Sequence, residues 1–103
     1  MATSAEWHED YGRMSDRARN FSRAVKSVQE ELEAVDWYNQ RAEATDDEQL
    51  QRILEHNRDE EIEHAMMGLE YLRRISPVFD RHMRTYLFTE GDITEIEEQT
   101  ERP

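Results

Sequence analysis

Glu31, Glu61 and His64 have the residue types and the spacing to hold a metal ion. Glu61-x-x-His64 sits in the stretch NRDEEIEHAM, residues 57–66, and all three residues fall in rows whose other positions are mostly apolar. An unpaired carboxylate in such a row is costly enough that it neutralises or finds a counter-charge. A divalent cation is one such counter-charge. Carboxylate oxygens with an imidazole, and no thiolate, suit iron, manganese or zinc better than copper(I). Glu-x-x-His is also the i, i+3 element of di-iron helical bundles, which join two such pairs to one Glu from each of two further helices. One copy of this chain carries half of that list. Two copies related by a two-fold axis carry all of it.

A lone Glu-x-x-His arises readily in a Glu-rich helix, solvated or paired with a neighbour such as Arg58 or Arg52. The position of Glu31, three residues after Val28 and four before Val35, weighs for the metal reading. Asn57, in the same row as Glu61, reads as a polar helix-packing residue, and His8, His56 and His82 as surface or packing residues.

The elements that must position these groups are helices. Phe21, Val25, Val28, Leu32 and Val35 step by four and three, with Ala24 and Tyr38 on the same face, which predicts a helix from about Ser15 to Ala42. Thr45 and Glu48 read as a capping box opening a second helix. Leu50, Leu54, Asn57, Glu61, His64, Gly68, Leu72 and Ile75 continue it until Ser76-Pro77 stops it. Each helix should be roughly 40–45 Å long. The short link at Glu43–Thr45 favours an antiparallel hairpin, with Glu31 level with Arg58 and about one turn from Glu61. Helical side chains lean toward their own N-terminus, so the three ligands should converge. Pro77, capped by Ser76, opens a short third helix with Phe79, Met83, Tyr86 and Leu87 on one face. The acidic stretch after Gly91 should fray. Ile62, Met66 and Leu69 line another side of the second helix, so the hairpin should oligomerise through them.

Composition agrees with an all-α class. The chain has 103 residues, 36% hydrophobic and 37% charged, with three Gly and two Pro. That is one small domain, residues 1–103, with 1–14 and 92–103 as flexible ends. Its net charge of −12 opposes binding to nucleic acid or anionic lipid and concentrates cations. No apolar run approaches the ~20 residues of a membrane span, and the first residues lack the pattern of a signal peptide. The absence of Cys removes disulfides and thiolate ligands and fits a cytosolic setting.

EELEAVDWY at 30–38, HNRDEEIEHAM at 56–66 and RTYLFTEG at 84–91 resemble the encapsulated ferritins, over a region running from about Val25 to Gly91. The resemblance implies a half-ferritin: a two-helix hairpin that dimerises into a ferritin-like four-helix bundle and assembles into a ring-shaped decamer. It implies a ferroxidase that oxidises Fe(II) with O2 at a di-iron site shared by two chains, and an encapsulin shell protein as partner within a cytoplasmic nanocompartment. Calcium, zinc or manganese are alternative occupants of the metal positions. By this resemblance Glu31, Glu61 and His64 are the ferroxidase ligands, and Glu30 and Glu33 bind incoming metal. Tyr38 and Trp37 lie beside the site, Tyr38 as part of the catalytic set. From the residues alone, Glu30 and Glu33 are a solvated acidic face, Tyr38 a core aromatic and Trp37 an interface residue. Family members reach their shell through a C-terminal targeting peptide, and none is visible before Glu101-Arg102-Pro103. The alternative is a non-catalytic helical oligomerisation module with a structural divalent ion. A peroxidase of the rubrerythrin kind would need a further pair of ligands that the stripe lacks.

Overall fold

Ser15 sets the start of the first long helix. In the computed structural model, which describes residues 7–101, its Oγ accepts the Ala18 N–H at 3.1 Å and α1 (Asp16–Ala44) follows. A short 3-10 turn, Tyr11–Arg13, precedes it, capped by Asp10, whose Oδ1 accepts the Gly12 N–H at 3.0 Å. The second helix, α2 (Glu48–Ile75), opens later than a Thr45–Glu48 box would place it. Asp47 is the N-cap, its Oδ1 accepting the Leu50 N–H at 2.9 Å. Thr45 is occupied in ending α1, its N–H bonded to the Arg41 carbonyl at 3.1 Å, while its Oγ1 accepts the Asp47 N–H at 3.2 Å. Asp also outranks Thr as an N-cap.

The hairpin register follows from that turn. Gln51 donates to the Ala42 carbonyl at 3.0 Å, Arg58 donates to Asn39 Oδ1 at 3.0 Å, Val28 abuts Gly68, and the Arg17 guanidinium donates to the Ile75 carbonyl. Val28 is therefore level with Gly68, and Glu31, one turn nearer the hairpin, is level with about His64 and not with Arg58, its Oε2 leaning back toward Gly68. The expected register is corrected by about two helical turns, because the chain reverses at 45–47 and the helices seat deeply where Gly68 lets them.

Among the described residues the fully covered apolar side chains are Val28, Ala42, Ala65 and Leu72. Their intervals, fourteen residues on α1 and seven on α2, are multiples of seven and mark a narrow seam, the geometry of helices crossing at a shallow angle. Leu32, expected inside, is 49% exposed because it lies at the edge of that seam, and Leu50 is 45% exposed near the open start of α2. So lean a seam leaves large apolar side chains uncovered, among them Ile53, Ile62, Met66, Met67 and Tyr71 on α2.

Ser76 then caps α3 (Pro77–Tyr86), accepting the Phe79 N–H at 3.2 Å, with Pro77 in the first turn as expected. Phe79 meets Phe21 edge-on at 5.9 Å, and Arg73 ties the helices by donating to Glu70 and Asp80, each at 2.7 Å. Leu87 lies just beyond α3 and is exposed, outside the face expected to bury it. The acidic end is helical where fraying was expected: α4 spans Ile93–Glu101. Asp92 starts it, its Oδ1 accepting from the Thr94 N–H at 2.9 Å and the Thr94 hydroxyl at 2.6 Å. No helix is long and apolar enough to cross a membrane among the described residues.

Candidate metal centre

Glu31 sits midway along α1, on the side of the helix turned to α2, and is half-buried. Its Oε2 is buried and has no hydrogen-bond partner. Buried polar atoms are nearly always paired, so an orphaned carboxylate oxygen needs an explanation. No described residue of this chain supplies a hydrogen bond to it, and a cation fits an anionic oxygen well.

Across the seam, α2 presents Glu61 and His64 one turn apart. His64 Nδ1 lies 3.8 Å from Glu61 Oε2, with the imidazole side chain 43% and the carboxylate side chain 27% exposed. Their contact is too long for a hydrogen bond, so both keep lone pairs for another partner. Arg58 does not neutralise Glu61, since its guanidinium is taken by Asp59 and Asn39. Oxygen and imidazole donors of this kind match a borderline or hard divalent ion.

The three groups do not close into a cage within one chain. Among the described residues no set of three or more His, Cys, Asp or Glu side chains is grouped tightly enough to hold a metal. The expected convergence is corrected to this extent: the hairpin brings Glu31 to about the level of His64, but within one chain the set stays open. An open half-set on a half-covered face is the condition under which a second chain could complete it.

The flanking residues fall around this face. Glu30 and Glu33 are exposed on α1 to either side of Glu31. Trp37 is 49% exposed, and Tyr38 is half-buried with the Arg41 guanidinium 5.6 Å over its ring. Geometry thus leaves Glu30 and Glu33 as solvated acids and gives Tyr38 a cation–π neighbour.

The EncFtn-like family model matches residues 6–90. The chain belongs to that family. It is 55% identical over 95 residues to a ferritin-like protein of Thermotoga maritima, covering 92% of this chain and 83% of that one. It is likewise 55% identical over 95 residues to an encapsulated ferritin-like protein of Rhodospirillum rubrum, covering 92% and 68%. An encapsulin nanocompartment cargo protein, EncC of Myxococcus xanthus, matches over 58 residues at 36% identity, covering 56% of this chain and 45% of that one. The crystal structure of protein ne0167 from Nitrosomonas europaea superposes with a TM-score of 0.82 at 52% identity, covering 84% of this chain and 96% of that one. The helical hairpin is thus a shared fold.

Glu60 is absent from the sequence reading of the site. Its two carboxylate oxygens face an imidazole each, Oε1 at 3.7 Å from His56 Nε2 and Oε2 at 4.0 Å from His64 Nε2. The signal was present as His56, Glu60 and His64 at intervals of four, one helical row. His56 is exposed, as expected of a surface residue.

Proposed function

We propose that the protein is a ferroxidase whose di-iron site is built from two copies of the chain, each supplying Glu31, Glu61 and His64. The buried, unpartnered Glu31 Oε2 is the observation that carries this reading. It supports a cation at the seam, and the open half-set of ligands supports a second chain across it. The family's ferritin-like and encapsulated relatives agree with iron as the substrate.

In this reading Glu30 and Glu33 gather Fe(II) at the rim by their charge, within the field of a chain of net charge −12. Glu31 and Glu61 then hold it with hard, anionic oxygens, which favour the higher ferric charge and so lower the barrier to losing an electron. His64 fixes the ion with a neutral nitrogen. Each Fe(II) gives up one electron and leaves as Fe(III); dioxygen takes two such electrons with two protons to become hydrogen peroxide, or four with four protons to become water. Tyr38 and Trp37 wall the site. An open hairpin has no interior store, so the ferric product passes to an encapsulin shell partner in the cytoplasm, with the chains arranged as a ring-shaped decamer. Zinc, manganese or calcium would compete for the same oxygens.

The test is aerobic Fe(II) oxidation, followed by ultraviolet absorbance, for wild type, Glu31→Ala and Glu61→Ala. Rapid turnover reduced at least tenfold in both variants is expected. Equal rates in all three, no faster than iron in buffer, would overturn the proposal and leave a structural ion in an oligomerisation module.

A further inference from the structure

Gly68 lies on the α1–α2 seam at a point where a single added carbon would collide. A methyl placed on it would lie 2.5 Å from Val28 Cγ2 and 3.9 Å from Glu31 Oε2. Carbon atoms rest at about 3.5–4.0 Å, so the first contact demands a displacement of about 1 Å. Val28 cannot yield by turning. It is buried at 7% exposure, and a β-branched side chain in a helix is held almost wholly to one rotamer. The displacement must then fall on the helices themselves, at the level of Val28, one turn from Glu31.

Glycine in the interior of a helix costs about 1 kcal/mol relative to alanine. Position 68 lies well inside α2, where helix propensity alone favours alanine. Its use there points to the close approach it permits. The same missing methyl keeps hydrocarbon away from the buried, unpartnered Oε2 of Glu31.

We infer that Gly68 is a positioning residue for the metal site: it sets how close α1 comes to α2 and so where the Glu31 carboxylate is held relative to Glu61 and His64. The inference rests on the ferroxidase reading of that site. Metal sites tolerate about 0.5 Å of misplacement, and an error of 1 Å can cost about a hundredfold in rate. Gly68 touches neither substrate nor metal; it acts through Val28 and Glu31.

Moving one methyl across the seam tests this. Gly68→Ala, Val28→Ala and the Gly68→Ala/Val28→Ala double variant are compared with wild type. Three readings are taken: melting temperature, anaerobic Co(II) binding followed by visible ligand-field absorption, and aerobic Fe(II) oxidation. Gly68→Ala is expected to weaken Co(II) binding and slow oxidation by tenfold or more while remaining folded. The double variant, which removes the atom the new methyl strikes, is expected to regain most of both. A merely structural role would move melting temperature and leave the Co(II) spectrum alone, which would overturn the inference, as would a Gly68→Ala protein equal to wild type in binding and turnover. If Gly68→Ala does not fold, the double variant decides: a folded double variant that binds Co(II) as wild type supports the inference, and one that does not overturns it. Wild type that neither binds Co(II) nor oxidises Fe(II) would overturn the ferroxidase reading and this inference together.

Discussion

At the scale of single residues the site is a place where stability is given up. Leaving a buried polar atom unpaired costs roughly 1–3 kcal/mol, and Glu31 Oε2 is such an atom. Replacing Glu31 by methionine keeps the length and the helix propensity while removing the carboxylate. In chelator, the metal-free Glu31→Met protein should melt several degrees above wild type, since about 1 kcal/mol moves a domain of this size by about 4–8 °C. With iron the ranking of function should invert, wild type oxidising and the variant not. Calorimetry showing no rise, or a fall, would mean that Oε2 finds a partner the wild type can use without metal. Glu31, Glu61 and His64 were legible because charge placed in an apolar row is visible in a linear string. Glu60 and Gly68 were less so. Glu60 matters through its two imidazole neighbours along one face, and Gly68 through Val28 on the other helix, a contact between residues far apart in the chain.

Among the elements, α3 is tied to α2 by the Arg73–Asp80 ion pair, within a cluster of charges that includes Glu70, Arg74 and Arg84. The Arg73 and Arg74 guanidiniums hold the Glu70 carboxyl down to about 2, Arg73 contributing more. Arg73 and then Arg84 likewise hold Asp80 below its ordinary range. A carboxyl whose folded pKa is depressed stabilises fully above its unfolded value, about 4, and that contribution is lost as pH falls toward 2. The gap in melting temperature between wild type and Arg73→Ala should therefore be widest near pH 6 and close progressively between pH 4 and pH 2. A gap that stays constant over that range would show that Arg73 acts through packing alone. These surface pairs are partly screened, so the gap should also narrow in high salt. Helix boundaries were readable at Ser15, which caps α1, and at Ser76, whose N–H closes α2 while its hydroxyl caps α3. Thr45 misled because a stronger cap, Asp47, follows two residues later: the Thr45 N–H closes α1 and its hydroxyl accepts the Asp47 N–H, while Asp47 caps α2. The register error came from that turn and spread to every cross-helix pairing, Glu31 included. The helix after Gly91 was missed because its composition reads as solvated, whereas Asp92 nucleates it with local hydrogen bonds.

For the whole molecule, apolar exposure and charge pull in opposite directions. Ile62 and Met66 are 41% and 51% exposed on α2, an apolar surface that favours association. Yet each chain carries a net charge of −12, so two chains brought together repel. Salt reaches such repulsion, since the Debye length is about 10 Å at 0.1 M. Bound divalent ions reach it more directly, placing positive charge where Glu31 and Glu61 of two chains would face each other. Metal-free protein should thus associate weakly at low ionic strength and more tightly as salt rises. Divalent metal should raise the association constant and flatten its salt dependence, because ligand binding to the paired form alone draws the equilibrium toward it. Sedimentation velocity across ionic strength, with and without Co(II), measures both. The expected stoichiometry is two metals per two chains, and Glu61→Ala should lose the metal response while keeping the salt response. An isolated monomer that binds two metals at full affinity would overturn the shared site, because a complete site would then need no second chain to supply its missing ligands.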